Sequence, residues 1–99
     1  MKTKGPRKKI TLTDEQFTAI SRALADPRRY AILRQIAAAG EMACCRLEEH
    51  EVISPATISH HIKELNEAGL VEVEREGREA NLRVCRLVFE AYVARLASL

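Results

Sequence analysis

The sequence predicts a mainly α-helical chain with one small β-hairpin, and three observations predict it. Apolar residues recur at three- and four-residue spacing along most of the chain. From Leu70 to Val84 that period gives way to alternation on both sides of a Glu76-Gly77-Arg78 turn. Helix-start signals, Thr13, Asp26-Pro27 and Ser54-Pro55, each precede an apolar stripe. A length of 99 residues suits one domain with a modest core. With 46% hydrophobic and 30% charged residues, the composition is that of a globular protein and not of a disordered one.

The chain opens on basic residues. Lys2, Lys4, Arg7, Lys8 and Lys9 come before any acid, which leaves 11 basic against 14 acidic residues beyond them, a body of about −3. We read residues 1–12 as a flexible basic arm, suited either to following phosphates or to solubilising a terminus. Residues 13–99 then form the folded domain. Thr13 and Gln16 fit a capping box, Asp14 and Glu15 complement the helix dipole, and Phe17, Ile20 and Leu24 are the stripe of a first helix ending near Ala25. Asp26 caps a second helix with Pro27 at its first position. Tyr30, Leu33, Ile36 and Ala37 are its expected buried stripe, Ile32 its flank and Gly40 its stop. A short helical segment from Met42 to about Glu49 carries Cys44 and Leu47 inward, and His50–Ile53 is a turn.

Ser54 to Gly69 is the stretch the rest of the chain serves. Ile58, Ile62 and Leu65 recur at i, i+4 and i+7, while Ala56, Ser59, His60, Lys63 and Glu67 occupy the opposite side. Small and hydroxylic side chains let a helix approach another surface and pair with base edges or phosphates. A merely solvated amphipathic helix looks the same in isolation, so the flanking chain decides. Two helices joined by a tight turn, the second with a polar leading face, make the helix-turn-helix pattern. A hairpin follows at once: Leu70, Val71 and Val73 alternate with Glu72 and Glu74, then Ala80, Leu82 and Val84 with Asn81, Arg83 and Cys85. The last helix, about Leu87–Leu99, presents Phe89, Tyr92, Val93, Leu96 and Leu99 with only Glu90 and Arg95 charged, too few for a helix exposed on a monomer. This order is a winged helix-turn-helix, expected to pair as a homodimer through its first and last helices, with two recognition helices about one DNA turn apart. No apolar run of about 18 residues and no secretory signal occur, so no membrane role and a cytoplasmic location are expected.

Three stretches carry a family resemblance: LADPRRYAILRQI at Leu24–Ile36, SPATISHHIKELNEAGLVE at Ser54–Glu72 and EGREANLRV at Glu76–Val84. On these the chain resembles the ArsR/SmtB family of bacterial metal-sensing repressors from about Phe17 to Leu96. The resemblance implies a homodimeric winged helix that represses its own operon and leaves double-stranded operator DNA when an inducer binds. It also implies that Ser54, Ala56, Thr57, Ser59 and His60 lie at or near the major groove, and the hairpin around Gly77 in the adjacent minor groove. From their own chemistry, Lys63 and Arg78 are placed for phosphate and His60 for a base edge or phosphate. Glu72, Glu74, Glu76 and Glu79 make the hairpin acidic and weaken its claim on phosphate. His61 reads as a packing or capping histidine.

Three cysteines, Cys44, Cys45 and Cys85, do not make a secreted disulfide framework. The family's arsenic-type motif reads ELCVCD, sometimes with a further cysteine three residues after the second. Here Glu41–Arg46 reads EMACCR: Ala43 replaces the first ligand, Cys45 matches the second, Arg46 replaces the Asp and Glu48 takes the optional third position. Cys44 stands where the family has a core valine. The family's last-helix zinc site needs histidine, and Leu87–Leu99 has none. What remains is an adjacent thiol pair, suited to a soft thiophile such as trivalent arsenic (arsenite), with Cys85 as a third ligand within or across subunits. No cofactor is required. Redox or persulfide sensing at the same thiols, or packing alone, are the alternatives. Two other classes stay open: a protein-binding winged helix that uses its acidic hairpin, and a thiol enzyme pairing Cys45 with His60 or His61. Nothing in the sequence orients such a pair, so the chain reads as no enzyme.

Overall fold

Capping chemistry sets the first two helices. The structure, a computed structural model, describes residues 10–47 and 55–99, leaving out the side chains of Cys45 and Pro55. Helix α1 runs Asp14–Leu24, and the Thr13 hydroxyl accepts the Gln16 N–H at 3.0 Å. Helix α2 runs Pro27–Ala39, and the Asp26 carboxylate accepts from Arg28 N–H at 2.9 Å and Arg29 N–H at 3.2 Å. Strand β1, Glu41–Ala43, leads into a single 3-10 turn, Cys44–Arg46. Helix α3 spans Pro55–Glu67. Gly69 ends it at φ +87°, a conformation strained for any residue with a Cβ, with Leu70 N–H donating to the Leu65 carbonyl at 3.0 Å. Strands β2, Val71–Glu76, and β3, Glu79–Val84, form the hairpin, and helix α4 runs Arg86–Ala97.

The three strands make an antiparallel sheet in the order β1-β3-β2. Met42 pairs with Leu82 on one side of β3, and Val73 pairs with Leu82 on the other. The core lies between this sheet and the helices. Ile20, Ile32, Ile36, Leu65, Leu70, Val71 and Leu82 are its most deeply buried side chains, so α1, α2, α3 and the sheet each contribute. Helix α4 closes on α1: the Phe17 and Tyr92 rings lie 5.0 Å apart, the Tyr92 and Ser21 hydroxyls 2.9 Å, and the Arg95 guanidinium sits 4.3 Å from the Phe17 ring centre. No helix among the described residues is long and apolar enough to cross a membrane.

Four expectations change. The segment from Met42 opens as strand β1 and a 3-10 turn rather than a helix, so Cys44 and Cys45 stand on that turn; residues 48–54, with Ser54, lie outside the described residues. Tyr30 is 49% exposed, because α2 turns Ile32, Leu33 and Ile36 inward and the flank takes the centre of the stripe. Leu12, assigned to the arm, belongs to the core, where an apolar residue just before a cap anchors the start of a helix. Residues 1–9 of that arm lie outside the description. Cys85 does not sit on the polar side of a strand: β3 ends at Val84, and Cys85 precedes α4, half-buried against the core.

Candidate nucleic-acid interface

Helix α3 is oriented by what it buries. Ile62 and Leu65 enter the core and Ile58 packs against it, which leaves Ala56, Ser59, His60, Lys63 and Glu67 on the exposed side and Thr57 half-buried. The far end is pinned to the sheet, where the Asn66 amide donates to the Val71 carbonyl at 2.8 Å. The middle is pinned to α2. His61 is only 5% exposed, and Arg29 Nε donates to its Nδ1 at 3.3 Å. Arg29 in turn reaches the Ala23 carbonyl at 3.4 Å and Asp26 at 3.9 Å. His61 is thus the packing histidine its position suggested, and His60 points outward.

This cluster is electrostatically tuned. Burial, and to a lesser degree the nearby charges of Arg29, His60 and Arg28, hold the His61 imidazole below its usual range, with Asp26 opposing them. Burial works to raise Asp26, but the N–H groups of Arg29 and Arg28 and the charges of His61 and Arg29 outweigh it and keep the carboxyl low.

The sheet beside α3 has two unlike faces. Cross-strand pairs of β2 and β3 place Glu72 with Arg83, Glu74 with Asn81 and Glu76 with Glu79, all exposed or half-exposed on the outer side. Val71, Val73, Arg75, Ala80, Leu82 and Val84 take the inner side. Gly77 turns the hairpin at φ +62°, and Arg78 beside it is exposed. Between α3 and the inner face runs a groove of roughly 260 Å³, lined among others by Cys44, Ser59, Lys63, Asn66 and Arg75. Sequence reasoning passed over Arg75, although alternation from Val71 and Val73 already assigned it to their side.

The cysteines are distributed less favourably. Cys44 lines the groove. Ala43 pairs with Asn81, so Cys85 lies four residues further along β3 and its exit, about 13 Å away at strand spacing. The structure therefore does not bring Cys85 to Cys44 within one chain. Among the described residues no three His, Cys, Asp or Glu side chains form a metal-binding group.

Comparison with known proteins agrees with this architecture. The family model of a helix-turn-helix domain matches residues 24–74. An uncharacterized HTH-type transcriptional regulator of Methanocaldococcus jannaschii is 36% identical over 63 residues, covering 64% of this chain and 71% of that relative. The arsenical resistance operon repressor of Staphylococcus xylosus is 35% identical over 65 residues, covering 66% of this chain and 62% of its own length. The crystal structure of an ArsR family transcriptional regulator superposes with a TM-score of 0.78 at 27% identity, over 90% of this chain and 91% of that one. A solution structure of a homodimeric winged helix-turn-helix DNA-binding domain from Mycobacterium bovis, a possible ArsR-family regulator, gives 0.67 at 26% identity over 90% and 88%. With α3 set against a hairpin wing, and with these relatives, the chain belongs to the ArsR family of winged helix-turn-helix transcriptional regulators.

Proposed function

We propose that the chain is a cytoplasmic, homodimeric repressor that holds operator DNA through α3 and releases it when a thiophilic inducer, trivalent arsenic above all, binds at Cys44 and Cys45. One observation carries the DNA-binding half: Ala56, Ser59, His60 and Lys63 stand exposed in a row on a helix whose opposite stripe is locked in the core. In this reading Ser54, Ala56, Thr57, Ser59 and His60 meet the major groove, while Lys63 and Arg78 take phosphates. Cys44 supports the inducer half, because it lines the same groove as Ser59 and Lys63 with Cys45 next in the chain. Adjacent thiols hold each other at high effective concentration, and soft trivalent arsenic favours thiolates. The Staphylococcus xylosus relative, named as an arsenical resistance operon repressor, agrees with that chemistry. Cys85 enters only if a second copy supplies it.

Release requires no large force. An inducer that binds the DNA-free form about 100-fold better shifts the equilibrium by roughly 2.7 kcal/mol. The test is a gel shift of the DNA upstream of the gene, with and without arsenite. Wild type should bind in a salt-dependent way and leave on arsenite, whereas Cys44→Ser and Cys45→Ser should bind and stay. Release of both variants at the wild-type arsenite concentration overturns the thiol half. Absence of salt-dependent binding overturns the DNA half and favours a protein-binding module.

A further inference from the structure

The strand register sorts the wing's charges by side. On the outer face Arg83 gathers three carboxylates, with its guanidinium nitrogens 3.5 Å from Glu41, 3.1 Å from Glu72 and 3.8 Å from Glu74. The hydrogen bond to Glu72, and then the charges of Glu41 and Glu72, raise Arg83 above the ordinary guanidinium range. The acids that make the hairpin look hostile to DNA therefore face away from α3. Among the described residues of β2 and β3, the inner face carries one charge only, Arg75, whose cross-strand partner Ala80 is too small to cover it. Arg75 makes no hydrogen bond or ion pair with any described residue.

Lys63 forms the opposite wall of the groove. Its contact with Glu67 is 4.0 Å long and exposed at both ends, a pair worth little in water. Ser59 adds a hydroxyl, and among the described residues no acid lines the groove. The Asn66 bond to Val71 fixes how far the helix stands from the strand. Two cations and a hydroxyl in one open groove, beside an exposed polar helix face, suit an anion carried on a larger body. We propose that the groove seats one backbone phosphate of duplex DNA, gripped by Arg75 from the wing and Lys63 from α3. Arg75 supplies a planar fork that matches phosphate oxygens, and Lys63 a point charge. The assignment rests on the DNA-binding reading and extends it to a residue and a face of the wing that reading did not include.

The experiment measures affinity for a mixed-sequence duplex against salt concentration, for wild type, Arg75→Gln, Lys63→Gln, the double variant and Arg34→Gln. Arg34 is exposed on α2 and outside the groove. Each lost phosphate contact removes about 0.9 from the log–log salt slope, so removing both cations in the double variant should flatten it by about two per dimer, one contact for each copy. Arg75→Gln should flatten it by less, because Lys63 still faces the phosphate. The double variant should lose less affinity than the two singles together, because both cations serve one phosphate. Arg75→Lys should keep most of the slope, which separates lost charge from a damaged fold. A double-variant slope equal to wild type, additive affinity losses, or an equal loss in Arg34→Gln each overturns the phosphate seat. A wild-type chain that shows no salt-dependent binding overturns the DNA reading beneath it.

Discussion

His60 and His61 are neighbours in sequence, with ring centres 6.1 Å apart, yet one faces solvent and the other the core. Because Arg29 donates to Nδ1 of His61, that nitrogen must accept, which makes the imidazole neutral with its proton on Nε2. Protonation would break the bond and set two cations against each other. The folded pKa lies below the unfolded 6.5, so below about pH 6.5 the unfolded chain binds more protons and stability falls with pH until the folded pKa is passed. Urea midpoints measured at about pH 7 and about pH 5 should show this decline, and His61→Gln should flatten it. Asp26 stabilises the fold at neutral pH and adds to the decline only at lower pH, where its stabilisation is lost as pH falls through a carboxylate pKa already held down. On the outward side, Ser59→Ala and His60→Ala should each cost about 1–3 kcal/mol of specific operator binding if they touch bases. Equal losses on every sequence would assign them to phosphate instead.

Helix α3 stands or falls with its inner stripe. Leu65→Ala should cost about 2–5 kcal/mol in denaturant melts, and Glu67→Ala on the exposed side no more than about 0.5 kcal/mol. That contrast was legible before any coordinates, because Ile58, Ile62 and Leu65 share a helical period and Gly69 marks the stop. The caps at Thr13 and Asp26 were legible for the same reason: a short polar side chain before an apolar stripe has one economical use. Strand β1 was not. Three residues, Glu-Met-Ala, are too few to show alternation, and what makes them a strand is the free edge of β3, a partner some forty positions on. Tyr30 was misplaced because stripe counting allowed two centres on α2, and tertiary packing buried Ile32 and left Tyr30 outside. In the site, the outward row on α3 followed from period alone, but the side taken by each wing charge needed the register, and the remoteness of Cys85 from Cys44 needed the sheet order.

At the scale of the whole molecule, α4 leaves an apolar edge uncovered. Val93 is 45% and Leu96 43% exposed, and Leu99 stands fully open, while Phe17 and Tyr92 tie the same helix to α1. We propose that a second copy covers that edge through α1 and α4; a Mycobacterium bovis domain of the same fold is homodimeric. Sedimentation should give about twice 11.1 kDa at micromolar protein, and Val93→Glu with Leu96→Glu should return the monomer and abolish operator binding. A wild-type monomer under those conditions would remove the two-half-site arrangement. The smallest strand then takes on unexpected weight. A hairpin of two strands is marginally stable in water, and β1 makes it three. Its rungs tie Glu41, Met42 and Ala43 to Arg83, Leu82 and Asn81, and the next residue in the chain is Cys44. Whatever tugs on that sulfur strains the last rung, so the exchange of β3 amide protons with solvent becomes a gauge of events at the cysteine.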